Sequence, residues 1–321
     1  MQKLNWQTDI LGDGFEMAHI NHPADYSGDI RCTIIRRRAA RPANKAILYL
    51  HGFSDYFFQK EMARMFIDNG YNFYAVDLRK YGRSLTAGQK MFQVRDLHEY
   101  FPDIDSAINV ISHDGNKTIA LLGHSTGGLT ASLYMSEKSS PLIKVLMLNS
   151  PFLDWNLPYA IKKCVIPVVS TLGRVFPSVR VHQKPDTGYA ETLSLRYSGE
   201  WDYREDWKPD KLPDPDMGWI HAIHTGQKQL RRQSVKVPVL LMHSASSVKN
   251  GDSKERYFHA DAILDVETIS HYGNRLGADI TEAIFQNGLH DLALSTKAVR
   301  VQMYQTMLSW LDTKLSIPDN R

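Results

Sequence analysis

Apolar residues arrive in two rhythms along this chain. Continuous runs of strand length occur at 46–50, 72–76, 118–122, 145–149, 237–242 and 280–285. Such a run is what a strand covered on both faces requires. Between the runs lie stretches with helical spacing. Residues 61–69 place Met62, Met65 and Phe66 on one face, and Gly70 is positioned to end the helix. Residues 101–112 align Ile104, Ala107, Ile108 and Ile111, and 129–135 predict a further helix. Strands alternating with helices predict an α/β fold with a mostly parallel sheet. Ahead of it, strands at 15–20 and 30–36, joined through 23–28, predict an antiparallel pair at one edge.

The rhythm breaks after residue 152. The stretch 153–215 carries Pro158, Pro167, Pro177, Pro185, Pro209, Pro213 and Pro215 and is rich in aromatics. Ile161, Cys164, Val165, Val168, Val169, Leu172 and Phe176 recur at helical spacing, with Pro167 expected to kink or split that helix. An insertion between two core strands would lie over the carboxyl ends of the sheet, where ligands bind. The expected organisation is a core formed by 1–152 and 216–321 with a cap at 153–215. That cap would supply an apolar pocket from residues such as Trp155 and Phe176. The alternative is an extra structural layer without substrate contact.

Composition narrows the function. The chain has 321 residues, 43% of them hydrophobic, enough for one large α/β domain with an insertion. A net charge of +3 is mild, and the basic residues are scattered apart from Arg36, Arg37, Arg38 and Arg41, which read as a solvated loop. Neither a nucleic-acid partner nor stable membrane insertion is expected. Cys32 and Cys164 lie far apart in apolar surroundings, so two buried free thiols are expected. Residues 1–6 lack an apolar leader core, which points to a cytoplasmic location. His221 and His224 share a helical face, but no third ligand at matching spacing accompanies them, so no metal or cofactor is expected.

The most chemically loaded stretch is Gly123-His124-Ser125-Thr126-Gly127. It follows the apolar run at 118–122 and precedes the helix at 129–135, a strand-turn-helix setting. A serine on so sharp a turn stands clear of the sheet, and glycines flank it because bulkier residues would clash. The turn also puts Ser125 at a helix N-terminus, where free N–H groups stabilise an oxyanion.

With these motifs in order, the chain resembles an α/β-hydrolase of the monoacylglycerol lipase, lysophospholipase and serine aminopeptidase branch, over roughly 30–311. His51-Gly52-Phe53 matches the histidine-glycine oxyanion loop. Asp77-Leu78-Arg79-Lys80-Tyr81-Gly82-Arg83-Ser84 matches a structural turn of the family, with Lys80 in place of glycine and Tyr81 in place of histidine. Gly288-Leu289-His290-Asp291 follows the last strand.

The resemblance implies a serine hydrolase that cleaves a carboxylic ester of a small molecule through an acyl-enzyme; a short or medium acyl group is what the apolar periodicity and aromatics of 153–215 suggest. Amide hydrolysis on the same fold, or a non-catalytic binding role, are the alternatives. Ser125 would be the nucleophile, His290 the base in the family's chain order, and the N–H groups of Phe53 and Thr126 the oxyanion donors. His51 would shape the oxyanion loop. The family's acid follows the penultimate strand closely, but here Ser244-Ala245-Ser246-Ser247 holds no carboxylate. Alignment of Asp261-Ala262-Ile263-Leu264-Asp265 with the family pattern makes Asp261 the acid and 246–260 a loop insertion. Asp265 then becomes a helix N-cap, and Asp265 and Asp252 stand as alternative acids.

Overall fold

In the computed structural model, which describes residues 4–138, 140–182 and 188–316, every continuous apolar run is a strand. In chain order the elements are β1 (Gln7–Thr8), β2 (Glu16–Asp25), β3 (Gly28–Arg37), β4 (Lys45–Leu50), α1 (Lys60–Asp68), β5 (Asn72–Asp77), α2 (Phe101–His113), β6 (Thr118–His124), α3 (Thr126–Glu137), β7 (Ile143–Asn149), α4 (Ile166–Gly173), α5 (Gly188–Leu193), α6 (Met217–Leu230), β8 (Val239–Ser244), α7 (Val266–Gly273), β9 (Ile280–Phe285) and α8 (Lys297–Leu315). Met1, Gln2, Lys3 and Pro185, used in the sequence reading, lie outside the described residues.

One nine-stranded sheet runs β1-β2-β3-β5-β4-β6-β7-β8-β9. Strands β4 to β9 are parallel, and β1, β2 and β3 form the antiparallel edge. The side-chain alternation of a strand splits the core in two. Leu48 and Leu50 face a layer with Ile104 of α2 and Ile220 of α6, whereas Ile47 and Tyr49 face Phe66 of α1 and Met303 of α8. That two-sided cover explains the unbroken apolar runs. Among the described residues no helix is long and apolar enough to cross a membrane.

Four local expectations are corrected. Residues 23–25 continue β2 instead of forming the connection, with Pro23 accommodated by a register shift between His22 and Asp25 and Gly28 turning at φ +97°. Pro167 does not split its helix. Ile161–Val165 form a wide π-turn that runs straight into α4, and Pro167 sits in the first turn of α4, where the missing N–H costs least. Cys32 is buried but Cys164 is exposed, because the outer side of this helix faces solvent. Arg36 is no loop residue. It lies buried in β3, stacked 3.5 Å over the Trp6 ring and paired with Glu16 and Asp114.

Candidate active site

Strand β6 ends in the turn that the glycines require. Ser125 has φ 52° and ψ −118°, a conformation that costs an L-residue energy and persists only under tight packing. The packing leaves no room for side chains. A Cβ on Gly123 would lie 2.7 Å from the Gly127 carbonyl oxygen, and one on Gly127 would lie 2.3 Å from that of His51. The turn is thus pressed onto the end of β4 and the loop after it. Helix α3 starts at Thr126, directly after the serine.

Three side chains from distant parts of the sequence meet at this turn. The Ser125 hydroxyl donates to His290 Nε2 at 3.0 Å. His290 Nδ1–H donates to Asp261 Oδ2 at 2.9 Å. All three are buried. The orientation of Asp261 comes from its own backbone. Its other oxygen accepts from the N–H groups of Ile263 and Leu264, each at 2.8 Å. The loop insertion is closed by Val248 N–H to Asp261 O and Asp261 N–H to Ser246 O, which return the chain beside β8. Asp265 accepts from Glu267 N–H at 3.1 Å and caps α7. Asp252 accepts from Lys249 N–H in a surface turn.

The loop after β4 passes close beside the serine. A Cβ on Gly52 would lie 3.1 Å from Ser125 Cβ, which brings the Phe53 backbone alongside. His51 holds this loop, with Nδ1–H donating to the Gly52 carbonyl at 2.8 Å and Nε2 accepting from Leu78 N–H at 3.1 Å. The family turn after β5 supports the same loop from below. Asp77 accepts from Phe57 N–H and from Arg83, which also pairs with Asp9. Both departures are absorbed locally. Lys80, at φ 66°, is fully buried with Nζ 2.8 Å from Asp25 and 4.2 Å above the Tyr26 ring. Tyr81 packs its ring 4.7 Å from that of His51.

Several neighbours carry no recognisable sequence signal. His124 lies with its ring 4.9 Å from that of His290, and burial holds its pKa below the ordinary histidine value. A neutral ring there adds no repulsion when His290 takes up a proton. Asp291 accepts from Asn149 and Ala293 through one oxygen and from Gln59 through the other, tying the His290 loop to β7 and to the start of α1. Tyr189 packs its ring 5.9 Å from that of His290 and accepts from Asp291 N–H. Asp55 is buried beside Lys208, whose Nζ is 3.1 Å away. Tyr189 and Lys208 belong to the inserted stretch, so that stretch touches the site. The sequence offered one hint, the Asp that follows His290.

Among the described residues, two groups of side chains have donor atoms close enough to hold a metal ion, His22 with Cys32 and Asp103, and Asp55 with His124 and Asp291. Their carboxylates are already engaged, Asp103 by Arg79, Asp291 by Asn149 and Gln59, and Asp55 by Lys208. His221 is bonded to Ser170 at 3.0 Å.

Comparison with known proteins places this geometry. Residues 41–293 match the family described as serine aminopeptidase, S33. Phospholipase YtpA of Bacillus subtilis (strain 168) is 28% identical over 160 residues, spanning 50% of this chain and 58% of that protein. The chain therefore matches little more than half the length of that relative. A soluble variant of the Saccharomyces cerevisiae monoglyceride lipase superposes with a TM-score of 0.63 at 18% identity, covering 92% of this chain and 96% of that one. The Paleococcus ferrophilus monoacylglycerol lipase gives 0.64 at 18%, covering 88% and 99%. A carboxyl esterase of Bacillus coagulans gives 0.64 at 13%, covering 93% and 98%. At such identities the structural likeness establishes the fold, and the family match establishes the lineage: this chain belongs to the serine aminopeptidase S33 family of α/β-hydrolases.

Proposed function

We propose that the protein is a serine hydrolase that cleaves carboxylic esters of small molecules through an acyl-enzyme. The observation that carries this reading is the buried line from Ser125 through His290 to Asp261, with links of 3.0 and 2.9 Å. His290 Nε2 takes the Ser125 proton as Oγ attacks the ester carbonyl. The carbonyl oxygen becomes an oxyanion held by the N–H groups of Phe53 and Thr126. His290 then returns the proton to the leaving alcohol, and water repeats the sequence to free the acid. Asp261 holds Nδ1 protonated and stabilises the imidazolium. No metal or cofactor enters these steps.

Residues 153–215 act as a cap over this site. The acyl side is narrow in this reading. Phe53 packs its ring 4.5 Å from Trp219 and 5.3 Å from Phe92, and Phe152 and Trp155 close the cluster. That crowding supports short or medium acyl groups. Relatives named phospholipase, monoglyceride lipase and carboxyl esterase support ester chemistry. The family description supports a second reading, hydrolysis of aminoacyl amides. A fluorophosphonate probe should label the purified protein at Ser125 and leave Ser125→Ala unlabelled. Absence of labelling in the wild-type protein would favour a non-catalytic binding role. Turnover of graded p-nitrophenyl esters against aminoacyl amides separates the two reactions.

A further inference from the structure

Apart from the two core layers that flank the sheet, a smaller apolar cluster joins three segments far apart in the chain. Tyr56 and Phe58 come from the loop after β4, Leu193 and Tyr203 from the stretch between β7 and β8, and Leu289 and Leu294 from the loop that carries His290. In the hydrolytic reading the first loop supplies an oxyanion donor, the Phe53 N–H, and the last supplies the base. The middle segment is what the two sides of the chemistry share.

The oxyanion loop needs support. Ser54, next to Phe53, is buried with φ 53°, and a residue with a side chain stays in that conformation only where its surroundings fix it. On the core side the loop is held at His51 by Leu78 N–H and at Phe57 by Asp77. Asp55 and Tyr56 lie between these anchors, and residues 204–208 meet both. Lys208 Nζ is 3.1 Å from the buried Asp55 carboxylate. The Tyr56 hydroxyl accepts from Arg204 N–H at 2.8 Å, and the Trp207 ring stands edge-on to the Tyr56 ring at 5.1 Å. The His290 loop is gripped in the same way. Trp201 Nε1–H donates to the Leu294 carbonyl at 2.9 Å, and the Tyr189 hydroxyl accepts from Asp291 N–H at 3.0 Å, one residue from the base. The gripping segment is itself tightly folded. Trp201 N–H donates to the Leu193 carbonyl, and a Cβ on Gly199 would lie 2.0 Å from the Leu193 carbonyl carbon.

We propose that Lys208 and Tyr189 are positioning residues for the hydrolysis, Lys208 setting the oxyanion loop through Asp55 and Tyr189 setting His290 through the Asp291 backbone. The inference rests on the hydrolytic reading, and adds that the stretch between β7 and β8 holds the reacting groups in register. The test is kcat and KM on p-nitrophenyl butyrate and p-nitrophenyl octanoate, with inhibition by butylboronic acid, whose adduct on the serine puts an oxygen where the oxyanion forms. Lys208→Met should lower kcat on both esters alike by roughly tenfold or more at unchanged KM, because small misplacements of such groups are costly. Boronate inhibition should weaken by a similar factor. Lys208→Arg keeps the cation and should recover most of the turnover. Lys208→Met/Asp55→Asn removes the lone buried charge, yet should stay slow because nothing ties the loop down. Tyr189→Phe keeps the ring and loses only the acceptor, and should lower kcat roughly fivefold at unchanged KM. Thermal melts check that each variant folds. The inference is overturned if folded Lys208→Met or Tyr189→Phe keeps kcat within about twofold of wild type. It is also overturned if the loss is confined to KM or to one chain length, or if the double variant regains full turnover. Wild-type protein that neither hydrolyses these esters nor takes the fluorophosphonate probe would instead overturn the hydrolytic reading, and this inference with it.

Discussion

Helix α3 has 5 apolar residues in 12 and the helix at 159–173 has 9 in 15, yet it is the less apolar one that the fold encloses. Every residue of α3 from Thr126 to Met135 is buried, since the helix packs against β6 and β7 with α6 against it. The second helix has α6 on one side and solvent on the other. The first is enclosed because it must hold Ser125 in a strained turn, and a strained residue stays put only where its surroundings fix it. The second lies in the stretch between β7 and β8, and its outer apolar side has nothing among the described residues to pack against. The difference teaches that apolar periodicity states how much surface a segment needs covered, and not what covers it.

The largest expected effect lies on the enclosed side. Asp261→Asn should lower ester turnover about ten-thousandfold, since the imidazole loses the partner that fixes its tautomer. Asp265→Ala should leave turnover near normal and cost about 1 kcal/mol of stability through the lost cap. Steady-state kinetics and denaturant melts of both variants check this pair, and the opposite pattern would reassign the acid.

A second effect tests where the two regions meet. Lys208 from the insertion is the cation beside buried Asp55, whose oxygens take no hydrogen bond among the described residues. Lys208→Met should destabilise by about 3 kcal/mol, because a charge is left buried alone. Lys208→Met/Asp55→Asn should recover much of that loss. Urea melts of the single and double variants close the cycle, and equal losses in both would show that packing, not charge, is responsible.

The comparison can be sharpened within one helix. Ile166→Ala, on the covered side, should cost about 2 kcal/mol or more. Val168→Ser, on the open side, should change stability by no more than about 0.5 kcal/mol. Similar costs measured at both positions would mean that the outer side is covered in solution.

The smallest effect depends on pH. Burial works against the charge on His98, but the hydrogen bonds it donates to Asp96 and Glu137 outweigh it, and its pKa is raised above the ordinary histidine value. The bond to Asp96, at 2.5 Å, lies within the turn at 96–98, and the bond to Glu137, at 2.7 Å, ties that turn to the end of α3. A group with a raised folded pKa contributes its stability below the unfolded value near about 6.5, and loses it as the pH rises through the folded pKa. The melting temperature of wild type over His98→Gln should therefore be highest on the acid side and should shrink as the pH rises. A constant difference would remove the charge from the account.

The strands, the helices of the core and the turn at Ser125 were legible in the sequence because each is dictated locally. A strand covered on both faces must be apolar throughout, and a turn with no room for side chains must carry glycine. Asp261 and His290 could be named through the resemblance, yet the residues alone left Asp265 and Asp252 open. Only the return of the 246–260 loop to β8, closed by backbone bonds at Ser246 and Val248, puts Asp261 next to His290. The same holds for Tyr189, Asp291 and the pairing of Lys208 with Asp55, which join segments far apart in the chain. The exposed side of the helix at 159–173, Cys164 included, was misread for a related reason. Sequence spacing defines a face, but whether that face meets protein or solvent depends on which elements the rest of the chain brings to it.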